Sequence, residues 1–213
     1  MNICLSNVLP DPLREIAVQE SSIWGKTCTL HGDHNYIIRA ASGTGKTTLL
    51  SILYGVRHDY SGKVTMDDHD IRTITPQEWA PLRQTQISCV FQGLRLFDSL
   101  TVRENIIIKN RLTDTCSQEE IEQYAHQLHI ASLLDAPVRT LSFGQKQRCA
   151  ICRALCQPFS TLLLDEPFSH IDQANTNTAL DLIIHVCEKN GANFILTSLD
   201  ESSYTDSAKV LTL

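Results

Sequence analysis

The chain has 213 residues, 42% of them hydrophobic and 20% charged, and a formal net charge of −6. That length gives one sizeable domain, or one domain carrying an inserted lobe, and the apolar fraction excludes an intrinsically disordered chain. The acidic balance argues against a broad surface that neutralises nucleic-acid phosphates, and no run approaches the roughly 18 apolar residues of a membrane span.

The N-terminus, Met1 to Asn7, has neither a basic segment nor a long apolar run, so no secretory signal is expected. Tyr36-Ile37-Ile38 predicts a compact strand, and a glycine-rich turn and a helix over Thr47 to Leu53, closed by Gly55, follow it. Ile87 to Phe91 predicts a second strand. Between Gly93 and Arg139 the pattern turns helical: Ser117 and Glu120 have capping-box spacing, and Ile121, Tyr124, Ala125 and Leu128 fall on one stripe. Further helices are expected over Gln145 to Gln157, stopped by Pro158, and over Asp172 to Lys189, with Gly191 at the C-cap. Thr161 to Leu164, Asn193 to Thr197 and Lys209 to Leu213 complete the strands. Strands alternating with helices predict an α/β fold with a mainly parallel sheet covered on both faces. The expected organisation is a single domain over 1–213, with a helical subdomain over about 93–145 inserted in it.

Two patterns carry chemistry. Ser42-Gly43-Thr44-Gly45-Lys46-Thr47-Thr48 lies between a strand and a helix. Gly43 and Gly45 let backbone N–H groups curl round a phosphate, Lys46 reaches the β- and γ-phosphates, and the Thr47 hydroxyl suits Mg²⁺. The helix N-terminus adds its dipole. Ala40 stands where the usual phosphate loop has its first glycine, and Thr48 stands where a dinucleotide fingerprint needs its third. The second pattern is the strand Thr161 to Leu164 ending in Asp165-Glu166-Pro167. Carboxylates at the C-terminal end of a buried strand need a cation or hydrogen bonds to compensate them. Asp165 suits Mg²⁺, directly or through water, and Glu166 suits polarisation of a water that attacks the γ-phosphate.

Leu141-Ser142-Phe143-Gly144-Gln145, with Gln147-Arg148 and Arg153-Ala154-Leu155 after it, resembles the signature segment of ABC-type ATPases, usually LSGGQ. Val90-Phe91-Gln92 resembles their Q-loop, Asp165-Glu166-Pro167 their Walker B end, and Ser169-His170-Ile171-Asp172 their D-loop. The motifs occur in family order over nearly the whole chain. The stretch from Val90 to Asn105 is further similar to the lipoprotein-releasing, macrolide-exporter and cell-division branch.

The resemblance implies a P-loop NTPase fold and an ATPase that uses ATP and Mg²⁺. It implies a head-to-tail dimer in which residues 42–48 of one subunit hold the phosphates. Ser142, Gly144 and Gln145 of the other subunit then face the γ-phosphate, with Asp172 at the seam. Gln92 would sense Mg²⁺ and the attacking water. With no spanning helix, the resemblance also implies a separate integral membrane permease docking near Gly93 to Thr101, and a cytoplasmic subunit peripheral to the inner face of the membrane. It implies a single ATPase unit that ends soon after its switch segment.

Three departures bear on activity. Phe143 replaces the first glycine of the signature pair. Leu199, in Thr197-Ser198-Leu199-Asp200, replaces the switch histidine, and leucine cannot hydrogen-bond phosphate or orient Glu166; Ser198 is one candidate substitute. No aromatic residue occupies the adenine-stacking stretch, which reads Leu9-Pro10-Asp11-Pro12, leaving Trp24 as either a stacking or a structural residue. Two other functions compete with the transporter subunit: a nucleotide-gated subunit with little turnover, suggested by Leu199, and a non-transport ABC-type ATPase, which the acidic charge and the lack of long coiled coils disfavour. Cys149, Cys152 and Cys156 share a helix face, with the spacing of a soft-metal site or of small apolar packing. His126 and His129 sit together without forming a ligand set.

Overall fold

The computed structural model describes residues 1–14, 21–199 and 208–213. Its first strand, β1 (Ile3–Pro10), buries Ile3 and Leu5, then Val8. The change of step marks a bulge between Ser6 and Leu9, where Asn7 takes φ 53°. Gly62 faces that bulge with φ 79°, and a Cβ there would lie 2.2 Å from the Asn7 carbonyl oxygen. β1 pairs antiparallel with β2 (Thr27–Leu30). Downstream come β3 (Tyr36–Arg39) and β4 (Tyr60–Met66), and β4 pairs antiparallel with β1 and with the short β5 (His69–Asp70). This four-stranded antiparallel sheet, ordered β2-β1-β4-β5, is an addition to the expected parallel one. The bulge breaks the period-2 alternation that would have announced β1.

The second sheet is parallel throughout. β6 (Ile87–Val90), β7 (Thr161–Asp165), β8 (Asn193–Ser198), β3 and β9 (Lys209–Thr212) lie in the order β6-β7-β8-β3-β9. Successive side chains point to opposite faces. Ile37, Leu162, Leu164, Phe194 and Leu196 join one apolar cluster, and Tyr36, Ile38, Leu163 and Ile195 join another. Burial on both faces explains why these strands read as continuous apolar runs.

The helices are α1 (Lys46–Leu53), α2 (Pro76–Thr85), α3 (Val102–Asn110), α4 (Gln118–Gln127), α5 (Phe143–Leu155) and α6 (Gln173–Asn190). α1 packs with the antiparallel sheet; α3, α4, α5 and α6 contribute to the cluster on the opposite face. α4 carries the expected capping box, with Ser117 accepting from the Glu120 N–H. α5 starts two residues earlier than the spacing predicts, because Ser142 caps it, and it ends at Leu155 with Cys156 as C-cap. α6 is capped by Asp172 and closes on Gly191, at φ 59°. From Gly93 to Ser142 the described residues contain helices and turns, with one isolated bridge, Thr101 to Pro137.

Candidate nucleotide site

The C-terminal ends of β3, β6 and β7 open onto one cleft of about 360 Å³, lined by Pro12, Leu13, Ser42, Gly43, Gly45, Lys46, Thr47, Thr48, Gln92 and Glu166. Gly43 and Gly45 take φ 84° and 101°, in the region that favours glycine, while Ala40 keeps an ordinary φ and leaves the turn intact. Gly45 is the N-cap of α1 and offers no side-chain cap, so the first-turn amides face the cleft. Trp24 lies beneath the loop, 2% exposed, and its Nε1 donates to the Thr44 carbonyl at 3.0 Å. Trp24 is therefore a buttress of the phosphate loop, the structural of its two readings, and it is more deeply buried than the sequence suggests. No aromatic side chain occurs among the described residues lining the cleft.

Lys46 is 5% exposed; its ammonium donates to the carbonyls of Ala40 at 2.7 Å and Ala41 at 2.9 Å. It also lies 3.2 Å from Glu166 Oε1. The Thr47 hydroxyl donates to Gln92 Oε1 at 3.3 Å. Asp165 is buried at the end of β7 and desolvation raises its pKa, opposed by hydrogen bonds from the Thr47 and Thr197 hydroxyls. Glu166 takes φ 47°, left-handed for a non-glycine residue. Loop, Gln92 and both carboxylates thus meet in one place.

Ser142, Gly144, Gln145 and Asp172 do not line this cleft. Ser142 caps α5, and the Gln145 side chain accepts from the Ser142 N–H at 2.9 Å. Phe143, 45% exposed, packs edge-on against His170 with ring centroids 4.4 Å apart. Gly144 is required by close approach: a Cβ there would lie 2.6 Å from the His170 carbonyl oxygen. The Asp172 carboxylate accepts from the Asn175 N–H, and this bond lowers its pKa. Leu199 is exposed and lines a groove of about 270 Å³ with Glu166, Thr197 and Ser198. Asp200, the last residue of the switch segment, lies outside the described residues.

Residues 25–169 match the family model described as ABC transporter. The chain belongs to the ABC transporter family. It is 35% identical over 158 residues to the methionine import ATP-binding protein MetN 1 of Bacillus cereus, covering 73% of this chain and 45% of that one. It is 34% identical over 187 residues to the thiamine import ATP-binding protein ThiQ of Escherichia coli, covering 86% and 77% respectively. The chain thus spans about half the length of the methionine relative and most of the thiamine one. A dimeric bacterial ABC transporter cassette matches in fold with a TM-score of 0.81 at 22% identity, over 99% of this chain and 94% of that one. The fold is that of a P-loop NTPase of the ABC type. Neither import protein carries a name from the lipoprotein-releasing, macrolide-exporter or cell-division branch.

Within this ABC cassette, two further residues tie the motifs together. Gln147 is buried on α5; its Nε2 donates to Ser169 Oγ at 3.0 Å and its Oε1 accepts from the His170 N–H at 3.1 Å. Arg153 is 8% exposed and donates to the carbonyls of Leu94 and Arg95 at 2.6 and 2.7 Å. These two residues follow Gln92 by two and three positions and both have positive φ, so the signature helix grips the loop after Gln92. The sequence signal for both was a polar side chain on the apolar stripe of α5. Cys149 and Cys152 on α5, and Cys156 at its C-cap, are fully buried alongside Ala150, Ile151 and Leu155. Burial pushes the Cys149 thiol up to about 12, which disfavours the thiolate a metal would need. His129 falls beyond α4, and its Nδ1 lies 2.9 Å from Asn175 Oδ1.

Proposed function

We propose that the chain binds and hydrolyses ATP, dimerises head-to-tail on it, and drives a separate integral membrane permease. The observation that carries this reading is the convergence of Lys46, Thr47, Gln92 and Glu166 on one cleft at the end of the parallel sheet. The relatives named above, both import ATP-binding proteins, support the transport role.

The triphosphate lies along residues 42–48, its oxygens accepting from the loop amides and the first turn of α1. Lys46 moves from the Ala40 and Ala41 carbonyls to the β- and γ-oxygens. The Thr47 hydroxyl, the Asp165 carboxylate and the Gln92 amide oxygen are hard oxygen donors grouped together, a set that fits Mg²⁺. Bound there, Mg²⁺ neutralises charge on the phosphate oxygens. Glu166 accepts a proton from the attacking water as its oxygen bonds to the γ-phosphorus and the bridging bond to ADP breaks.

Ser142, Gly144 and Gln145, at the N-terminus of α5, serve the nucleotide of a second copy, and Asp172 lies at that seam. Their position outside their own chain's cleft supports this. Residues 93–145 act as the helical subdomain. Its exposed Phe97, beside the loop after Gln92, supports permease contact near Gly93 to Thr101. Among the described residues no helix is long and apolar enough to cross a membrane. Resemblance to import ATP-binding proteins supports a subunit that works from the cytoplasm, peripheral to the inner face of the membrane through its permease, and the net charge of −6 gives no support for a nucleic-acid partner.

Lys46→Ala and Glu166→Gln should each lower steady-state ATP hydrolysis by about 100-fold or more. Lys46→Ala should also lose ATP binding, whereas Glu166→Gln should keep it. Hydrolysis rates equal to the native chain's in both variants would reject the reading.

A further inference from the structure

The replacement of the switch histidine by Leu199 poses a specific question: what orients Glu166 in this chain? Leu199 shares a groove with Glu166, but its side chain offers no polar atom. The neighbouring end of β8 does. Thr197 is fully buried, with its side chain among apolar strands. Its hydroxyl accepts from the Glu166 N–H at 3.1 Å and lies 3.0 Å from Asp165 Oδ1, to which it donates. One buried hydroxyl thus holds both acidic residues at the end of β7, each through a different atom.

We infer that Thr197 is the positioning residue for Glu166, doing from β8 what residue 199 cannot do. The inference rests on the hydrolysis reading above and names the group that makes hydrolysis workable without a histidine. Glu166 has φ 47°, a strained conformation for a non-glycine residue that persists only where its surroundings hold it. The bond from its N–H to Thr197 is one such hold. With the backbone fixed there, the side chain reaches towards the phosphate loop, and Oε1 comes to 3.2 Å from Lys46 Nζ. Both restraints belong to this subunit and neither involves position 199. The bond from Thr197 to Asp165 also leaves the buried oxygen Oδ1 satisfied while the Thr47 hydroxyl approaches the same carboxylate.

Thr197→Val keeps the shape and removes the hydroxyl, leaving the Glu166 N–H unpaired. A shift of about an ångström in a reacting group costs on the order of 100-fold in rate. The expected result for the purified 213-residue chain is a fall in kcat of about 10- to 100-fold, with KM for ATP and the Kd of a fluorescent ATP analogue within about threefold of native. Thr197→Ser, which restores the hydroxyl, should recover most of the lost kcat. Leu199→His should change kcat by less than about threefold.

Thermal melting of each variant checks that the folded fraction is native. Should Thr197→Val fail to fold, Thr197→Ser and Leu199→His still decide. A native kcat in Thr197→Val, a Thr197→Ser variant that stays slow, an effect confined to KM, or a gain of tenfold or more in Leu199→His would each overturn the inference. Those results leave the ATPase reading intact so long as Glu166→Gln is slow. If the native chain and Glu166→Gln are equally inactive, the ATPase reading fails and this inference fails with it.

Discussion

At the scale of single residues, the phosphate loop is shaped by two glycines with different neighbours. Gly43 has φ 84° and nothing within 4 Å of where a Cβ would stand. Gly45 has φ 101°, and a Cβ there would lie 2.7 Å from Leu13 Cδ1 and 3.3 Å from Trp24 Cζ2. Gly43→Ala therefore adds backbone strain alone, roughly 1–2 kcal/mol. Gly45→Ala adds the displacement of two buried side chains, and overpacking of this kind costs about 1–3 kcal/mol more. The melting temperature of Gly45→Ala should thus fall clearly below that of Gly43→Ala, by several degrees at roughly 2–4 °C per kcal/mol for a chain of this size. Equal melting temperatures would show that Leu13 and Trp24 do not support the loop. The same pair of residues explains the fate of Trp24: its indole N–H is committed to the Thr44 carbonyl, and its ring lies under the loop rather than in the cleft.

At the scale of elements, four helices begin with the same device. Thr75 with Glu78, Thr101 with Glu104, Ser117 with Glu120, and Ser142 with Gln145 all form capping boxes. The hydrogen bond from the N-cap backbone N–H lowers the Glu78 and Glu104 carboxyls below their usual value of 4.5; Lys189 first, then the Ser117 N–H, lowers Glu120. A carboxyl with a lowered folded pKa contributes stability that is present above its unfolded value and lost as pH falls through the folded one. The native melting temperature should accordingly drop between about pH 5 and pH 3, and Glu104→Gln should show a shallower drop over that window than the native chain. A parallel pH curve for Glu104→Gln would count against the cap.

Only the Ser117 box was legible, because an amphipathic stripe follows it. The same spacing at Thr101 precedes Ile106-Ile107-Ile108, a β-branched run that favours strand, and α2 contains Pro81. The parallel strands, the phosphate loop and the acidic pair could all be read because each is a contiguous segment. The contacts of Gln147 and Thr197 could not. Their partners lie 22 and 31 residues away along the chain, and only the fold brings them together.

At the scale of the whole molecule, one chain carries both halves of the proposed ATP site, but on separate surfaces. A two-fold dimer resolves this, since each copy then supplies its phosphate loop to one nucleotide and its signature to the other. The signature surface depends on how closely α5 approaches the loop after β7. Gln147 clamps the two, and Gly144 allows the His170 carbonyl to come near. Gly144→Ala would put a Cβ 2.6 Å from that oxygen, so the loop and the helix start must separate. That change touches no residue of the cleft that holds ATP within one chain. In a Glu166→Gln background, where ATP persists, light scattering should show the 23.9 kDa chain doubling in mass with ATP and remaining single with ADP. Adding Gly144→Ala should abolish the doubling while ATP binding to the monomer stays within about threefold. A doubly substituted chain that still dimerises on ATP would mean that the signature surface is not the contact, and the head-to-tail arrangement would have to be abandoned.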